Sequence, residues 1–404
     1  MPPGRPKGPG APPSPTGARG LRRRAYPGPV DRPLRDLAVD DPSLVDALAA
    51  ALDGSGPAIR PRTTPADEAG TLTVPAGVCL VLRTSGSTGA ARDVMLSAAA
   101  LRASAAATEG RLGGPGDWLL ALPADHVAGL QVILRALAAG TRLHRMPAGT
   151  FRPAAFAAAA RAVEAGRRRY VSLVPTQLVR LLDEGDAVAA LRRFDAVLLG
   201  GAAVPATVLG RARAAGVRVV TTYGMTETCG GCVYDGVPLD GVRVRLDPEG
   251  RVLLGGPVLA EGYLGRPDLD AEAFVTGADG TRWLRTSDLG ALDMDGRLTV
   301  LGRADDIIVT GGVNVAPAPV EELLSTLPGI REACVVGVPD EEWGQAVVAV
   351  IAGEPPPLDE VRTLVAERLG PAAAPRRVVV VPALPTRGPG KPDRRAAAAL
   401  ATSP

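Results

Sequence analysis

From Val78 to Thr222 short apolar runs alternate with stretches of helical periodicity, and this alternation restricts the possible folds more than any other feature of the chain. Val78–Leu82, Trp118–Leu122, Arg142–Arg145, Tyr170–Val174, Asp195–Leu199 and Val217–Thr222 have the length and apolar content of buried strands. Between them Ser97–Gly110, Val127–Ala139, Pro153–Ala165, Thr176–Leu182 and Pro205–Ala215 read as helices. Strands joined by helices of this length predict an α/β fold with a parallel, doubly wound sheet, whose ligands bind at the carboxyl ends of the strands. Upstream, Leu34–Leu52 reads as helical and Asp53–Ala76 as a turn-rich connector, which makes Val78 the start of the first core strand.

The polar clusters fall at those strand ends. Arg83-Thr84-Ser85-Gly86-Ser87-Thr88-Gly89-Ala90-Ala91-Arg92-Asp93 follows one, Asp125-His126 another, Gly200-Gly201-Ala202-Ala203 a third, and Thr222-Tyr223-Gly224-Met225-Thr226-Glu227-Thr228 a fourth. Clusters that converge on one rim describe one cleft. In the first, Gly86 and Gly89 allow close backbone approach, while Ser85, Ser87 and Thr88 supply donors that can wrap phosphate oxygens. It is not a Walker loop, because the Gly-x-x-x-x-Gly-Lys spacing is missing and the basic residue, Arg92, lies beyond the last glycine.

Composition narrows the surroundings. A net charge of +2 over 404 residues compels neither a nucleic-acid nor an anionic-membrane partner. The longest apolar region, Trp118–Gly140, is interrupted by Pro123, Asp125, His126 and Arg135, which argues against a membrane span. Residues 1–28, rich in Pro, Gly and Arg, lack the apolar segment of a secretory signal and read as a disordered basic extension. Four cysteines in a chain of this length imply no disulfide framework and point to the cytoplasm. Cys229-Gly230-Gly231-Cys232 has redox-motif spacing without a following helix, and reads as two incidental cysteines.

Of 45 basic residues only Lys7 and Lys391 are lysine. Lys7 lies in the extension, so Lys391 is the one lysine of the folded part, in Pro385-Thr386-Arg387-Gly388-Pro389-Gly390-Lys391. Where arginine has replaced lysine nearly everywhere else, the survivor marks a site that needs a compact ammonium.

Beyond the α/β half, Pro238–Leu301 breaks into short alternating runs with Gly and Asp turns, a β-rich subdomain. A helix near Val320–Leu327, strands at Ala333–Val338 and Ala346–Ile351, a helix at Leu358–Leu369 and a strand at Arg377–Val381 then form a small α+β unit. The expected division is 1–28 extension, 29–304 large domain and 305–404 small C-terminal domain.

Thr84–Asp93, Tyr223–Thr228, Thr286-Ser287-Asp288-Leu289-Gly290, Gly302–Pro317 and Gly390-Lys391 resemble, in order and spacing, the motifs of the adenylate-forming enzymes, which include acyl-CoA synthetases, peptide-synthetase adenylation domains and luciferases. The resemblance runs from about Gly77 to Arg394. The phrases Leu122–Gln131 and Gly230–Gly236 most resemble the actinobacterial o-succinylbenzoate-CoA ligases of menaquinone biosynthesis. Departures exist: Arg92 stands where that family usually has Lys, Asp93 where Gly is common, and Ser287 where Gly often precedes the aspartate.

The resemblance implies an AMP-binding domain with a mobile C-terminal domain and an ATP-dependent acid-CoA ligase releasing AMP and pyrophosphate, with ATP and Mg²⁺ as cofactors and coenzyme A as co-substrate. Its partners are these small molecules and a carboxylic acid, and it admits a homodimer. It assigns Thr84, Ser85, Gly86, Ser87, Thr88, Gly89 and Arg92 to the triphosphate, and Gly201, Ala202, Thr222, Tyr223, Gly224, Met225 and Thr226 to the nucleotide. Glu227 would hold the metal, Asp288 the ribose hydroxyls, and Arg303 the ribose or a phosphate. Lys391 would bridge carboxylate and α-phosphate, His126 would gate the acyl carboxylate, and Asp305 would be the hinge. Gly311 and Gly312 would line the pantetheine tunnel. Thr176, Gln177, Gly201 and Gly224, expected at strand or helix ends facing the cleft, would form the acyl pocket beside His126 by that position alone. Two other readings use the same nucleotide residues: an adenylating enzyme that loads a carrier-protein pantetheine, and a non-catalytic nucleotide-binding protein.

Overall fold

The computed structural model describes residues 1, 31–64, 72–84, 92–387 and 391–402, without the side chains of Arg387 and Lys391. Beyond Met1 the expected extension lies outside the described residues, as do Ser85, Gly86, Ser87, Thr88 and Gly89 of the hydroxyl-rich loop.

The chain opens with a strand where a helix was expected. In β1 (Arg32–Ala38) exposure alternates with a period of two from Arg32 to Asp36, before the buried Leu37, and Pro33 removes a helical donor. The helix α1 (Leu44–Asp53) begins only after Ser43. The expected connector contains β2 (Ala58–Arg62) and β3 (Thr73–Val74), so Val78 does not start the first core strand. After β4 (Val78–Thr84), β5 (Arg92–Ser97) returns antiparallel, with Arg83 opposite Asp93 and Thr84 opposite Arg92. The hydroxyl-rich loop thus connects a β-hairpin and is not the strand-to-helix turn that a wholly parallel sheet requires. The helix α2 (Ala98–Leu112) follows, with the Ser97 hydroxyl accepting from the Ala100 amide at 3.3 Å.

The expected alternation then holds. β6 (Gly116–Leu120), α3 (Val127–Ala139), β7 (Leu143–Arg145), α4 (Pro153–Ala162), β8 (Arg168–Leu173), α5 (Pro175–Leu182), α6 (Gly185–Leu191), β9 (Ala196–Leu199), α7 (Ala206–Ala214) and β10 (Val219–Met225) succeed one another. The short α6 has no counterpart in the sequence reading. The strands lie in the order β7-β6-β8-β9-β10, all parallel, and β11 (Gly230–Tyr234) and β12 (Val237–Pro238) add antiparallel at one edge. Trp118, Leu120, Tyr170 and Leu198 enter one buried cluster, while Leu119, Val171, Val197 and Leu199 enter another. Alternate residues of one strand therefore feed apolar layers on both faces of the sheet, which is the doubly wound arrangement.

β13 (Arg243–Leu246), β14 (Arg251–Gly255), β15 (Gly262–Tyr263), α8 (Pro267–Ala273), β16 (Phe274–Thr276), β17 (Arg282–Leu292) and β18 (Leu298–Arg303) form the β-rich part. Their sheet runs β13-β14-β17-β16 with β18 on β17, but β15 leaves it to pair with β5, giving the first sheet the order β15-β5-β4-β2-β1-β3. That excursion matters for the site. Past the turn Ala304–Asp306 come the hairpin β19 (Ile308–Thr310) and β20 (Val313–Val315), α9 (Pro317–Leu324), β21 (Ile330–Asp340), β22 (Gly344–Gly353), α10 (Leu358–Leu369), β23 (Arg377–Val381), β24 (Thr386–Arg387), β25 (Lys391–Pro392) and α11 (Arg394–Thr402). β21, β22 and β23 make a three-stranded sheet, packed on one side by Val320, Leu324, Val361 and Val365 and on the other by Ala397 and Ala401. The architecture is a large α/β domain with a β-rich subdomain and a small α+β C-terminal domain.

Two arginine networks, one buried and one half-buried, tie distant parts of the chain together. Arg60, 8% exposed, donates from Nε to Asp36 at 2.6 Å and from Nη1 to Asp93 at 3.0 Å, crossing the strands that carry the hairpin base. Asp93, unusual where Gly is common, is thereby half of a buried ion pair, and stripping one partner from such a pair typically costs about 3–5 kcal/mol. In the small domain Arg394 reaches Glu321 with both terminal nitrogens, at 2.5 and 2.9 Å, and Asp306 at 3.0 Å. Burial opposes its charge, but the paired carboxylates hold its pKa above the ordinary arginine value. All four cysteines are free and buried; burial pushes the Cys79 thiol to about 11 and Cys232 to about 12, so the Cys229/Cys232 pair has none of the thiolate character of a redox motif.

Candidate active site

The polar clusters follow the ends of β4, β6, β9 and β10, and side-chain contacts join the end of β2 to that of β6 and the end of β9 to β10. Thr63, just past β2, donates its hydroxyl to Asp125 beyond β6 at 3.0 Å. His126 is the N-cap residue of α3, with its Nε2 3.9 Å from Asp125 and its ring about half exposed. Past β9, Gly200 lies so near Thr222 that a Cβ there would sit 2.3 Å from the threonine hydroxyl oxygen. Gly201 takes φ +86°, a conformation that favours glycine.

The strand β10 carries Thr222, Tyr223, Gly224 and Met225 into the cleft, all half-buried. Its pairing with β11 is interrupted by a bulge between Tyr223 and Gly224. At Gly224 a Cβ would meet the Gly230 carbonyl oxygen at 2.1 Å, so no other residue fits. Thr226 and Glu227 follow in a short turn that Thr228 closes, its hydroxyl accepting from the Met225 amide at 3.0 Å and donating to the Gly230 carbonyl at 2.8 Å.

Two polar sets project from this turn and strand. In the first, the Tyr223 hydroxyl donates to Asp288 Oδ2 at 2.7 Å, and burial followed by the adjacent Asp288 carboxylate drives its pKa well up, so it remains a donor. Asp288 lies opposite Arg303 across β17 and β18, with Arg303 Nη1 3.9 Å from Oδ1. Arg303 Nη2 also pairs with Asp305 at 3.0 Å, which puts the ribose candidate and the hinge candidate on one guanidinium. In the second set, Tyr263 of β15 donates its hydroxyl to Glu227 Oε1 at 2.9 Å, and the Arg92 guanidinium lies over the same ring, 5.5 Å from its centroid. Tyr263 escaped the sequence reading entirely. The only sequence signal was a tyrosine after glycine at the end of a run, and β15's departure to β5 is what makes it count.

Other expected residues stand apart from these sets. Thr84 donates to the Arg92 carbonyl at 3.4 Å, closing the hairpin base below the undescribed loop. Thr176 is half-buried in the first turn of α5. Gln177 departs from its expected substrate role: its Oε1 accepts from the Val174 amide at 3.1 Å and its Nε2 donates to the Ala121 carbonyl at 3.0 Å. That amide holds the ends of β6 and β8 together and is committed to backbone. Gly311 and Gly312, at φ +56° and +78°, form the two-residue turn of the β19–β20 hairpin, where positive φ at both positions is required. A Cβ on Gly311 would strike the Trp343 ring at 2.6 Å. Lys391 lies in β25 opposite Arg387, and its side chain is outside the described residues.

Among the described residues no group of three or more His, Cys, Asp or Glu side chains gathers as a metal cage. Mg²⁺ needs none, since it binds through one or two carboxylates together with substrate phosphates. Glu227, half-buried and oriented by Tyr263, fits that pattern. Also among the described residues, no helix is long and apolar enough to cross a membrane.

A cleft at strand ends that gathers the Asp288 and Glu227 carboxylates and the Arg92 guanidinium around two tyrosine hydroxyls has the groups that a nucleotide-using α/β enzyme needs. The chain belongs to the AMP-binding enzyme family, with residues 34–264 matching the AMP-binding enzyme domain and residues 319–391 the AMP-binding enzyme C-terminal domain. It is 47% identical over 365 residues to a probable 2-succinylbenzoate–CoA ligase of Mycobacterium tuberculosis, covering 87% of this chain and 94% of that protein. To the 2-succinylbenzoate–CoA ligase of Bacillus mycoides it is 34% identical, covering 78% of this chain and 68% of that protein. Among solved structures, o-succinylbenzoate CoA synthetase of Bacillus subtilis, in complex with its acyl-adenylate intermediate, matches with a TM-score of 0.70 at 26% identity, over 87% of this chain and 80% of that one.

Proposed function

We propose that the chain is an ATP-dependent, AMP-forming acid–CoA ligase that converts o-succinylbenzoate to its CoA thioester. The observation that carries the reading is the pair of polar sets on one strand and turn: Tyr223, Asp288 and Arg303 on one side, Glu227, Tyr263 and Arg92 on the other. Together they offer acceptors for ribose hydroxyls and opposite charges for a metal–triphosphate. The choice of acid rests on the 47% identical relative, which this chain covers almost end to end.

In the first step a carboxylate oxygen of the acid attacks the α-phosphorus of ATP, and the bond to the β-phosphate breaks to release pyrophosphate. Asp288 accepts the ribose hydroxyls, with Tyr223 holding the carboxylate in place. Arg92 and the donors of the hydroxyl-rich loop take the leaving phosphates, and Lys391 balances charge building between carboxylate and α-phosphate. Bound at Glu227, Mg²⁺ would neutralise phosphate oxygens and polarise the reacting phosphorus. In the second step the thiol sulfur of coenzyme A attacks the adenylate carbonyl and AMP leaves. His126, on the cleft edge, shields the acyl carboxylate.

Incubation with o-succinylbenzoate, ATP, Mg²⁺ and free coenzyme A should yield thioester, AMP and pyrophosphate in equal amounts. Adenylation with no thioester from free coenzyme A would point instead to a carrier-protein acceptor, and no pyrophosphate at all to a binding protein.

The two steps need different faces at one centre, so the small domain must turn about Asp305. The Ile307 amide bonds the Ala304 carbonyl at 3.3 Å, in the single helical turn Ala304–Asp306 whose second residue is Asp305. Asp305→Pro locks φ there near about −65°. A conformer that needs another φ is disfavoured by about 3 kcal/mol, or about 10²-fold. We expect adenylation to survive and thioester formation from pre-made adenylate to fall by that factor; equal loss of both steps would mean that the substitution damaged the fold.

A further inference from the structure

The segment that carries Tyr263 is tied to both halves of the second polar set. The Ala260 amide donates to the Glu227 carbonyl at 2.8 Å, the Glu261 amide to the Met95 carbonyl at 2.9 Å, and the Leu264 amide to the Asp93 carbonyl at 2.8 Å. Tyr263 pairs with Val94 across β15 and β5, and its own amide donates to Asp270 at 2.7 Å. Only 3% exposed, its ring stacks on Phe274 at 5.9 Å, so it has little freedom to move. The hydroxyl bonds Glu227 at 2.9 Å while the Arg92 guanidinium covers the ring at 5.5 Å.

This arrangement solves an electrostatic conflict. A guanidinium and a carboxylate side by side would pair with each other, and both would be spent before any ligand arrived. Among the described residues no ion pair joins Arg92 to Glu227; both meet Tyr263 instead, the carboxylate at its hydroxyl and the guanidinium over its ring. A hydroxyl on one carboxylate oxygen fixes the plane of the group and leaves lone pairs for a hard cation, as a residue behind a metal ligand does.

We propose that Tyr263 is the positioning residue of the metal–triphosphate site: its hydroxyl sets the Glu227 carboxylate toward a divalent cation, and its ring keeps Arg92 apart for phosphate oxygens. The proposal rests on Glu227 being the metal-holding carboxylate. Tyr263→Phe removes the hydroxyl and keeps the ring, so the fold and the Arg92 contact persist. Tyr263→Leu removes both.

The test is calorimetric titration of the whole enzyme with ATP, with and without Mg²⁺, beside thioester formation from pre-made acyl adenylate. For Tyr263→Phe the gain in ATP affinity brought by Mg²⁺ should shrink by about tenfold or more. Metal-free ATP affinity and the thioester step, which needs no triphosphate, should stay within about twofold of the parent. Tyr263→Leu should additionally weaken metal-free ATP binding, because Arg92 would fall onto Glu227. If Glu227→Gln abolishes the metal-linked gain while Tyr263→Phe keeps it whole, the positioning role is overturned and Glu227 stands. Should Glu227→Gln keep the gain, the metal assignment itself fails and the proposal with it. Equal loss of every activity in Tyr263→Phe would reduce the residue to packing and also overturn the role.

Discussion

Lys391→Ala is expected to lower adenylation of the free acid by about 10²- to 10³-fold, the usual consequence of removing one preorganised charge from a site of phosphoryl or acyl transfer. Thioester formation from pre-made acyl adenylate should be nearly untouched, because in the proposed mechanism the charge that Lys391 balances exists only while carboxylate and α-phosphate are joining. The lysine stands in β25 immediately before the helix α11, and Arg394 at the start of that helix is pinned to Glu321 and Asp306. Arg394 thus ties the start of α11 to the turn Ala304–Asp306, and a change at residue 391 itself leaves those ion pairs in place. Lys391→Arg keeps the charge but spreads it over a planar fork, and should fail nearly as badly. Pyrophosphate exchange monitors the first step and thioester absorbance the second. Near-normal exchange in either variant would remove the argument drawn from the lone lysine of the folded chain.

How far this site could be read without coordinates depended on the range of the forces that build each part. α3 and α10 begin and end where their periodicity says, because helix formation is local and Gly140 and Gly370 stop them. The strands β6, β8, β9 and β10 declared themselves as apolar runs, since a sheet buried on both faces needs continuous apolar sequence. β1 and β2 were missed for the opposite reason. Arg60 is buried only because Asp36 and Asp93 meet it from other strands, and no local pattern announces a buried arginine. β5 was hidden by its polar start, Arg92-Asp93, which looked like the tail of a loop. Gln177 looked like a cleft residue because it follows a strand end, yet its amide was claimed by backbone at Val174 and Ala121. Motif residues such as Tyr223, Glu227 and Asp288 were legible by resemblance; Tyr263, the partner of Glu227, is placed by the pairing of β15 with the distant β5.

The second large effect concerns the acid. o-Succinylbenzoate carries a ring carboxylate besides the succinyl one that becomes the thioester, so the pocket must receive a second anion without neutralising it. Burying an unpaired carboxylate is too costly, so donors must meet it. With the Gln177 amide bonded to backbone, the remaining donors of the expected pocket are the Thr176 hydroxyl and the Gly201 amide, which make no hydrogen bond among the described residues. Gly201 at φ +86° turns its peptide as in backbone nests that hold anions, and bridging water can complete the set. An acid lacking the ring carboxylate leaves those donors unpaired, and sites of this kind reject such analogues by about 10³-fold or more. 4-Phenyl-4-oxobutanoate keeps the reacting arm and loses only that carboxylate, so its kcat/KM should fall by this factor, with benzoate and medium-chain fatty acids poorer still. Thr176→Val should narrow the gap by weakening o-succinylbenzoate alone, since the analogue never used the hydroxyl. Equal turnover of 4-phenyl-4-oxobutanoate and o-succinylbenzoate would overturn the choice of acid while leaving the adenylation chemistry, which depends on Asp288, Glu227 and Lys391, as it stands.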